Sequence, residues 1–312
     1  MKRKNVFLGI GLQLGATFLF TLMGALIRYV GDRIPIGEQV FARSFLALIP
    51  LMIMLLWRGE VKSALRMKSP LRHFTRAFTG IAAMVLMFLG LARLPLADST
   101  AISFVTPLFN VALAAIFLSE RVRLWRWSAV FVGFVGVIVM LSPHLGSAEM
   151  TNAAAAGALM TLCGAFFTAA AMTQVRSMVN IETTASLVFS FQLIAACCGL
   201  LMFPWTWIMP TPGDALALLG IGVFGGIAQI LLTESYRHAP ASVVAPFSYT
   251  SMIWAVVLGY FLFRELPDAI VLAGAAIVVA AGLFVIFRER ALGINRQKEK
   301  EATTPPAGPP VE

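Results

Sequence analysis

Along most of its length the chain alternates between apolar runs of about twenty residues and short breaks marked by proline and charge. A bilayer's hydrocarbon, about 30 Å thick, is crossed by about 20 residues of α-helix at 1.5 Å each. Ten runs meet that length, at roughly 6–30, 36–57, 74–92, 96–118, 124–142, 153–175, 183–203, 214–236, 241–263 and 269–287. Pro35, Pro70, Pro95, Pro143, Pro210, Pro212, Pro240 and Pro267 punctuate the breaks. The pattern predicts an all-α polytopic membrane protein of ten transmembrane helices. The tail, 288–312, turns charged and then proline-rich, a composition that predicts a cytoplasmic disordered segment.

The chain also repeats itself. Residues 93–120 align without gaps on 238–265, with Pro95 over Pro240, Ser103 over Ser248 and Glu120 over Glu265, an offset of 145. Earlier, Arg43-Ser44-Phe45 faces Phe189-Ser190-Phe191 at an offset of 146. Two five-helix units follow, 6–142 and 153–287. An odd number of crossings makes the second unit enter from the opposite side, so the repeats are inverted. Inverted halves can exchange inward-open and outward-open states around a shared midplane site.

Composition excludes a water-soluble domain: 59% of residues are apolar, 12% are charged, and mean hydropathy is +0.85. The net charge of +9 does not imply nucleic acid, because the basic residues are spread over short connecting segments and the two ends. Of the lysines and arginines, 19 fall in 2–4, 58–76, 121–126, 176, 237 and 288–300, whereas four (Arg28, Arg33, Arg93 and Arg264) fall on the other side. That bias puts both termini in the cytoplasm. Arg43 is the one basic residue left inside a run. The first run is too long for a signal peptide's apolar core and is expected to stay as a helix. Cys163, Cys197 and Cys198 lie in apolar runs without metal-ligand spacing and are expected to pack between helices.

Polar side chains facing lipid are costly, so a polar stripe at helical spacing should face protein or water. In the fourth run Ser99, Ser103, Thr106 and Asn110 share a face, with Pro107 able to bend the helix. The ninth run matches it with Ser248 and Ser251, beside Pro246, Tyr249 and Trp254. The eighth adds Gln229 and Thr233; the fifth and tenth are nearly devoid of polar residues and suit the periphery. The solute-binding candidates are Ser103, Thr106, Asn110, Gln229, Ser248, Tyr249, Ser251 and Trp254, each hydroxyl having interhelical packing as its alternative reading. Arg43 has two readings, a structural residue snorkelling outward to Glu38 or Asp32, or a solute or gating contact. Glu234, with Arg237 and His238 at i+3 and i+4, is either a local ion pair or a coupling site. Asp98 fits a helix N-cap, the repeated Glu120 and Glu265 suggest a role in the fold, and His73 and His144 read as solvated loop residues.

FARSFLA at 41–47, PLADSTAISFVTPLF at 95–109, FLSE at 117–120 and the second-half copy through Arg264-Glu265 resemble the EamA family of the drug/metabolite transporter superfamily over about 9–288. The resemblance implies an inner-membrane carrier with the first, third, fourth, sixth, eighth and ninth helices around a central cavity and the fifth and tenth outside it. Within the family, 236–268 is similar to members that carry riboflavin or S-adenosylmethionine, while others move amino acids. An aromatic, uncharged or zwitterionic solute would suit a cavity with Tyr249, Trp254, Phe104 and Phe109 and no cluster of fixed charge. The expectation is a secondary transporter and not an enzyme, without cofactor or metal. Its partners would be a small organic solute and membrane lipid, with proton coupling or exchange left open, no nucleic acid, and a monomeric or homodimeric state. The alternatives are a non-transporting receptor or scaffold with a dry interior, and a membrane-embedded transferase, for which the helices lack a paired base and nucleophile.

Overall fold

The computed structural model describes residues 5–117, 124–145, 152–178, 181–202 and 207–303. Ten helices in it are long and apolar enough to cross a membrane. They are α1 (Val6–Val30), α2 (Ile36–Arg58), α3 (Pro70–Arg93), α4 (Leu96–Phe117), α5 (Leu124–Leu145), α6 (Asn152–Met178), α7 (Thr184–Leu201), α8 (Pro212–His238), α9 (Ala245–Phe263) and α10 (Ala269–Thr303). Local chemistry sets the ends. The side chains of Asn5, Thr183 and Thr211 accept bonds from Leu8, Ser186 and Asp214 amides, and Gly59 at φ 67° closes α2 in the left-handed conformation.

Two ends differ from the sequence reading. Proline suits the first helical turn, where its missing N–H has no partner to lose, so α3 starts at Pro70 rather than 74 and carries His73 and Arg76 inside the helix. His73 is therefore buried rather than solvated, with Nδ1 2.7 Å from Ser190 Oγ and Nε2 3.4 Å from Glu182 Oε1. At the other end α10 runs through the charged residues to Thr303, where disorder was expected from Arg288. Alanine, leucine, lysine, glutamate, glutamine and arginine, which favour helix, make up most of that stretch; the prolines come later. Residues 304–312 and Glu120 lie outside the described residues.

The outside of the bundle is apolar. Phe78, Ile116, Phe131, Ile138 and Leu216 are exposed on α3, α4, α5 and α8, as are Cys163 on α6 and Cys197 on α7, which therefore do not pack between helices. Such a surface requires lipid as its solvent.

Pairing between helices follows the repeat. α1 lies along α8 and α3 along α6, while α5 lies along α10 and α2 along α7. Exchanging each helix with the one five places on turns α1–α8 into α6–α3 and leaves the other two pairs unchanged. Apolar burial adds little between helices already in lipid, so close backbone approach holds these pairs together. A Cβ on Gly136 of α5 would stand 2.9 Å from the Gly274 carbonyl oxygen of α10, and one on Gly274 2.7 Å from that of Gly136.

α4 and α9 are both interrupted. α4 breaks between its stretches Leu96–Ser103 and Thr106–Phe117, ahead of Pro107. α9 opens with a 3-10 turn, Ala245–Tyr249, before Thr250–Leu258, and closes with a π turn, Gly259–Phe263. At the offset of 145 the start of the second α9 stretch, Thr250, matches Val105, so both copies break at one place.

Candidate functional site

Between the two repeats lies a cavity of about 1040 Å³. One end of it reaches exposed Arg176 and Arg237, together with Arg58, Glu60 and Arg126, and opens between the ends of α2, α5, α6 and α8. The other end is shut. There Arg28 of α1 donates from Nε to Glu265 Oε2 at 3.1 Å and makes a second contact with Oε1, while its Nη1 bonds the Leu94 carbonyl. Asp32–Arg93 at 3.3 Å and Arg33–Asp214 at 3.1 Å join the same closure. Arg264, at φ 58°, is the only described non-glycine residue with positive φ; it ends α9 and turns Glu265 back toward α1.

The walls are mostly apolar, with a few polar groups facing in. Arg43, Asn110 and Gln229 line the cavity, Asn110 also accepting a bond from Thr173 Oγ1 of α6 at 3.1 Å. Ser103, Thr106, Ser248, Ser251, Tyr249 and Trp254 do not line it. Ser103 and Thr106 bond the carbonyls of Thr100 and Ser103 at 2.6 and 2.7 Å, and Ser248 and Ser251 bond those of Ala245 and Ser248. At the breaks in α4 and α9 these hydroxyls satisfy nearby backbone acceptors, which in hydrocarbon have no water to turn to. Trp254 packs against Phe18 of α1 with centroids 5.3 Å apart, and the Tyr249 hydroxyl lies against Gly282 of α10.

Arg43 does not snorkel to Glu38 or Asp32. Its Nη1 donates to Gln192 Oε1 of α7 at 2.5 Å, beside Gly225 of α8, where a Cβ would stand 3.6 Å from its Nε. Glu234 is not purely local either: besides Arg237 at 3.2 Å it takes Arg58 of α2 at 2.8 Å, a partner 176 residues away. Asp98 is in the first turn of α4, whose N-cap is Pro95. Two features were missed in the sequence. Arg76 lines the cavity and its guanidinium sits 4.0 Å over the Phe191 ring, so besides the arginines at its open end the cavity holds Arg43 and Arg76, where no cluster of fixed charge was expected. The signal for it was Ser69-Pro70, a helix start that puts Arg76 in the second turn. The walls also include α2, α7 and α10, through residues such as Ala47, Gln192 and Val285, but none from α9. α9 instead lies against α1 and α4, where it helps seal the shut end.

The model of the EamA-like transporter family matches the chain twice, over 7–142 and 155–288. Among curated relatives, the S-adenosylmethionine uptake transporter of Rickettsia conorii is 28% identical, covering 96% of this chain and 98% of its own. The pseudopaline exporter CntI of Pseudomonas aeruginosa PAO1 is 29% identical, covering 88% and 94%. A solved crystal structure superposes with a TM-score of 0.64 at 18% identity, over 94% of this chain and 99% of that one, which establishes a shared fold.

Proposed function

The chain belongs to the EamA-like transporter family, and from that premise we propose that it carries a small organic metabolite of the S-adenosylmethionine or amino-acid kind across the inner membrane by alternating access. The observation that carries this reading is the cavity of about 1040 Å³ between the repeats, shut at one end and open at the other. It reaches the upper end of the usual range for small-molecule pockets, about 300–1,000 Å³. A non-transporting scaffold has no use for such a space.

The open end is the arginine-rich one, the side that the positive-inside bias assigns to the cytoplasm. The conformation is thus read as inward-facing, with Arg28–Glu265 holding the outer side closed. The name of the Rickettsia relative supports an amino-acid-derived solute, since it is named for uptake of S-adenosylmethionine. Counterflow in proteoliposomes tests this. Vesicles loaded with unlabelled S-adenosylmethionine should transiently accumulate the labelled compound, with riboflavin and single amino acids as the comparison panel. Labelled S-adenosylmethionine that enters no faster than into protein-free vesicles would remove it as the solute.

A further inference from the structure

Arg43 and Arg76 come from different helices, α2 and α3, and α7 receives both at consecutive positions. Gln192 accepts from Arg43 at 2.5 Å, and the Phe191 ring lies 4.0 Å beneath Arg76. Both guanidiniums line the same cavity. Among the described residues neither forms an ion pair. The nearby carboxylates are engaged elsewhere: Glu234 with Arg58 and Arg237, Glu182 with His73 and the Lys68 and Ser69 amides, Glu38 with the Ile208 amide. Nε and Nη1 of Arg76 are buried without a hydrogen-bond partner.

Two cations lining one cavity inside a bundle repel each other, and each is costly to hold away from water without a counter-charge. A neutral amide oxygen and an aromatic face offset only part of that cost. A single carboxylate would relieve both, because its two oxygens match the planar fork of arginine. We propose that Arg43 and Arg76 together form the seat for a carboxylate group on the carried solute. The inference rests on the transport reading and adds a charge requirement to it: the solute's anionic end docks on α2, α3 and α7, leaving Asn110 and Gln229 to face the remainder.

The test uses purified full-length protein in detergent at constant ionic strength. S-adenosylmethionine is compared with its decarboxylated analogue by equilibrium binding, and succinate with succinamide by thermal shift. The seat predicts that each carboxylate-bearing compound binds at least about tenfold more tightly than its partner. Arg43→Gln and Arg76→Gln should each abolish the preference, Arg43→Lys and Arg76→Lys should keep part of it, and Lys62→Gln, at an exposed residue outside the cavity lining, should leave it intact. Monodisperse elution of the lysine variants guards against misfolding as the cause. Equal binding with and without the carboxylate, or a preference that survives both glutamine variants, overturns the seat while leaving transport untouched. An arginine-dependent preference for succinate without any binding of S-adenosylmethionine keeps the seat and removes that solute.

Discussion

Phe104 and Tyr249 meet edge to face, with ring centroids 5.1 Å apart and planes at 76°. They are 145 residues apart, the offset of the repeat, so each ring touches its own counterpart. A residue can meet its symmetry mate only near the pseudo-two-fold axis. The contact therefore marks where the interrupted helices α4 and α9 cross, and it lies outside the lining of the cavity.

The first prediction follows from that placement. Phe104→Ala and Tyr249→Ala should each lower thermal stability, and the double variant should lose less than the sum, with a coupling of about 0.5–1.5 kcal/mol for the aromatic pair. Solute affinity in Tyr249→Ala should stay within about twofold of wild type. A tenfold loss would bring the site back to the breaks in α4 and α9.

The second concerns orientation. A reporter fused after Arg72 should read cytoplasmic and one after Trp207 periplasmic, because five spans separate them. The same location for both would end the inverted-repeat arrangement.

Hydropathy made the spans legible because lipid leaves so few ways to satisfy a backbone. Pro107 and Pro246 made a bend in each of α4 and α9 legible, but not that the breaks coincide, because at the offset of 145 they face Met252 and Ala101. The direction of the hydroxyls was not legible: a stripe of Ser103, Thr106, Ser248 and Ser251 looks the same whether it faces a solute or its own carbonyls, and the choice depends on backbone geometry at the break. Arg58–Glu234 and Arg28–Glu265 were hidden for another reason. Each joins helices distant in sequence, and no local rule pairs them.

Close packing gives the third prediction. Gly274→Leu would drive a side chain into the backbone of α5 at Gly136 and Met140, where even a Cβ meets heavy atoms at 2.5–2.8 Å. Thermal stability should fall by about 1–3 kcal/mol, the usual cost of overpacking, with folded protein recovered in lower yield. Unchanged stability would mean that α5 and α10 are not in contact.

Gln229 lines the cavity from α8. Gln229→Leu removes a hydrogen-bonding group without opening a void, so solute binding should weaken by about 1 kcal/mol, roughly fivefold, with stability unchanged. Titration by calorimetry reads the difference, and wild-type affinity would exclude Gln229 from the solute's contacts.

The central claim is that the solute passes between the repeats by exchange of the open and shut ends. The direct test fixes the shut end with a reducible bifunctional thiol reagent joining Arg28→Cys to Glu265→Cys, in a background of Cys163→Ser, Cys197→Ser and Cys198→Ser. Counterflow of labelled S-adenosylmethionine should stop on cross-linking and return on reduction, while equilibrium binding from the arginine-rich side persists throughout. Counterflow continuing at the uncross-linked rate in verified cross-linked protein would contradict the account.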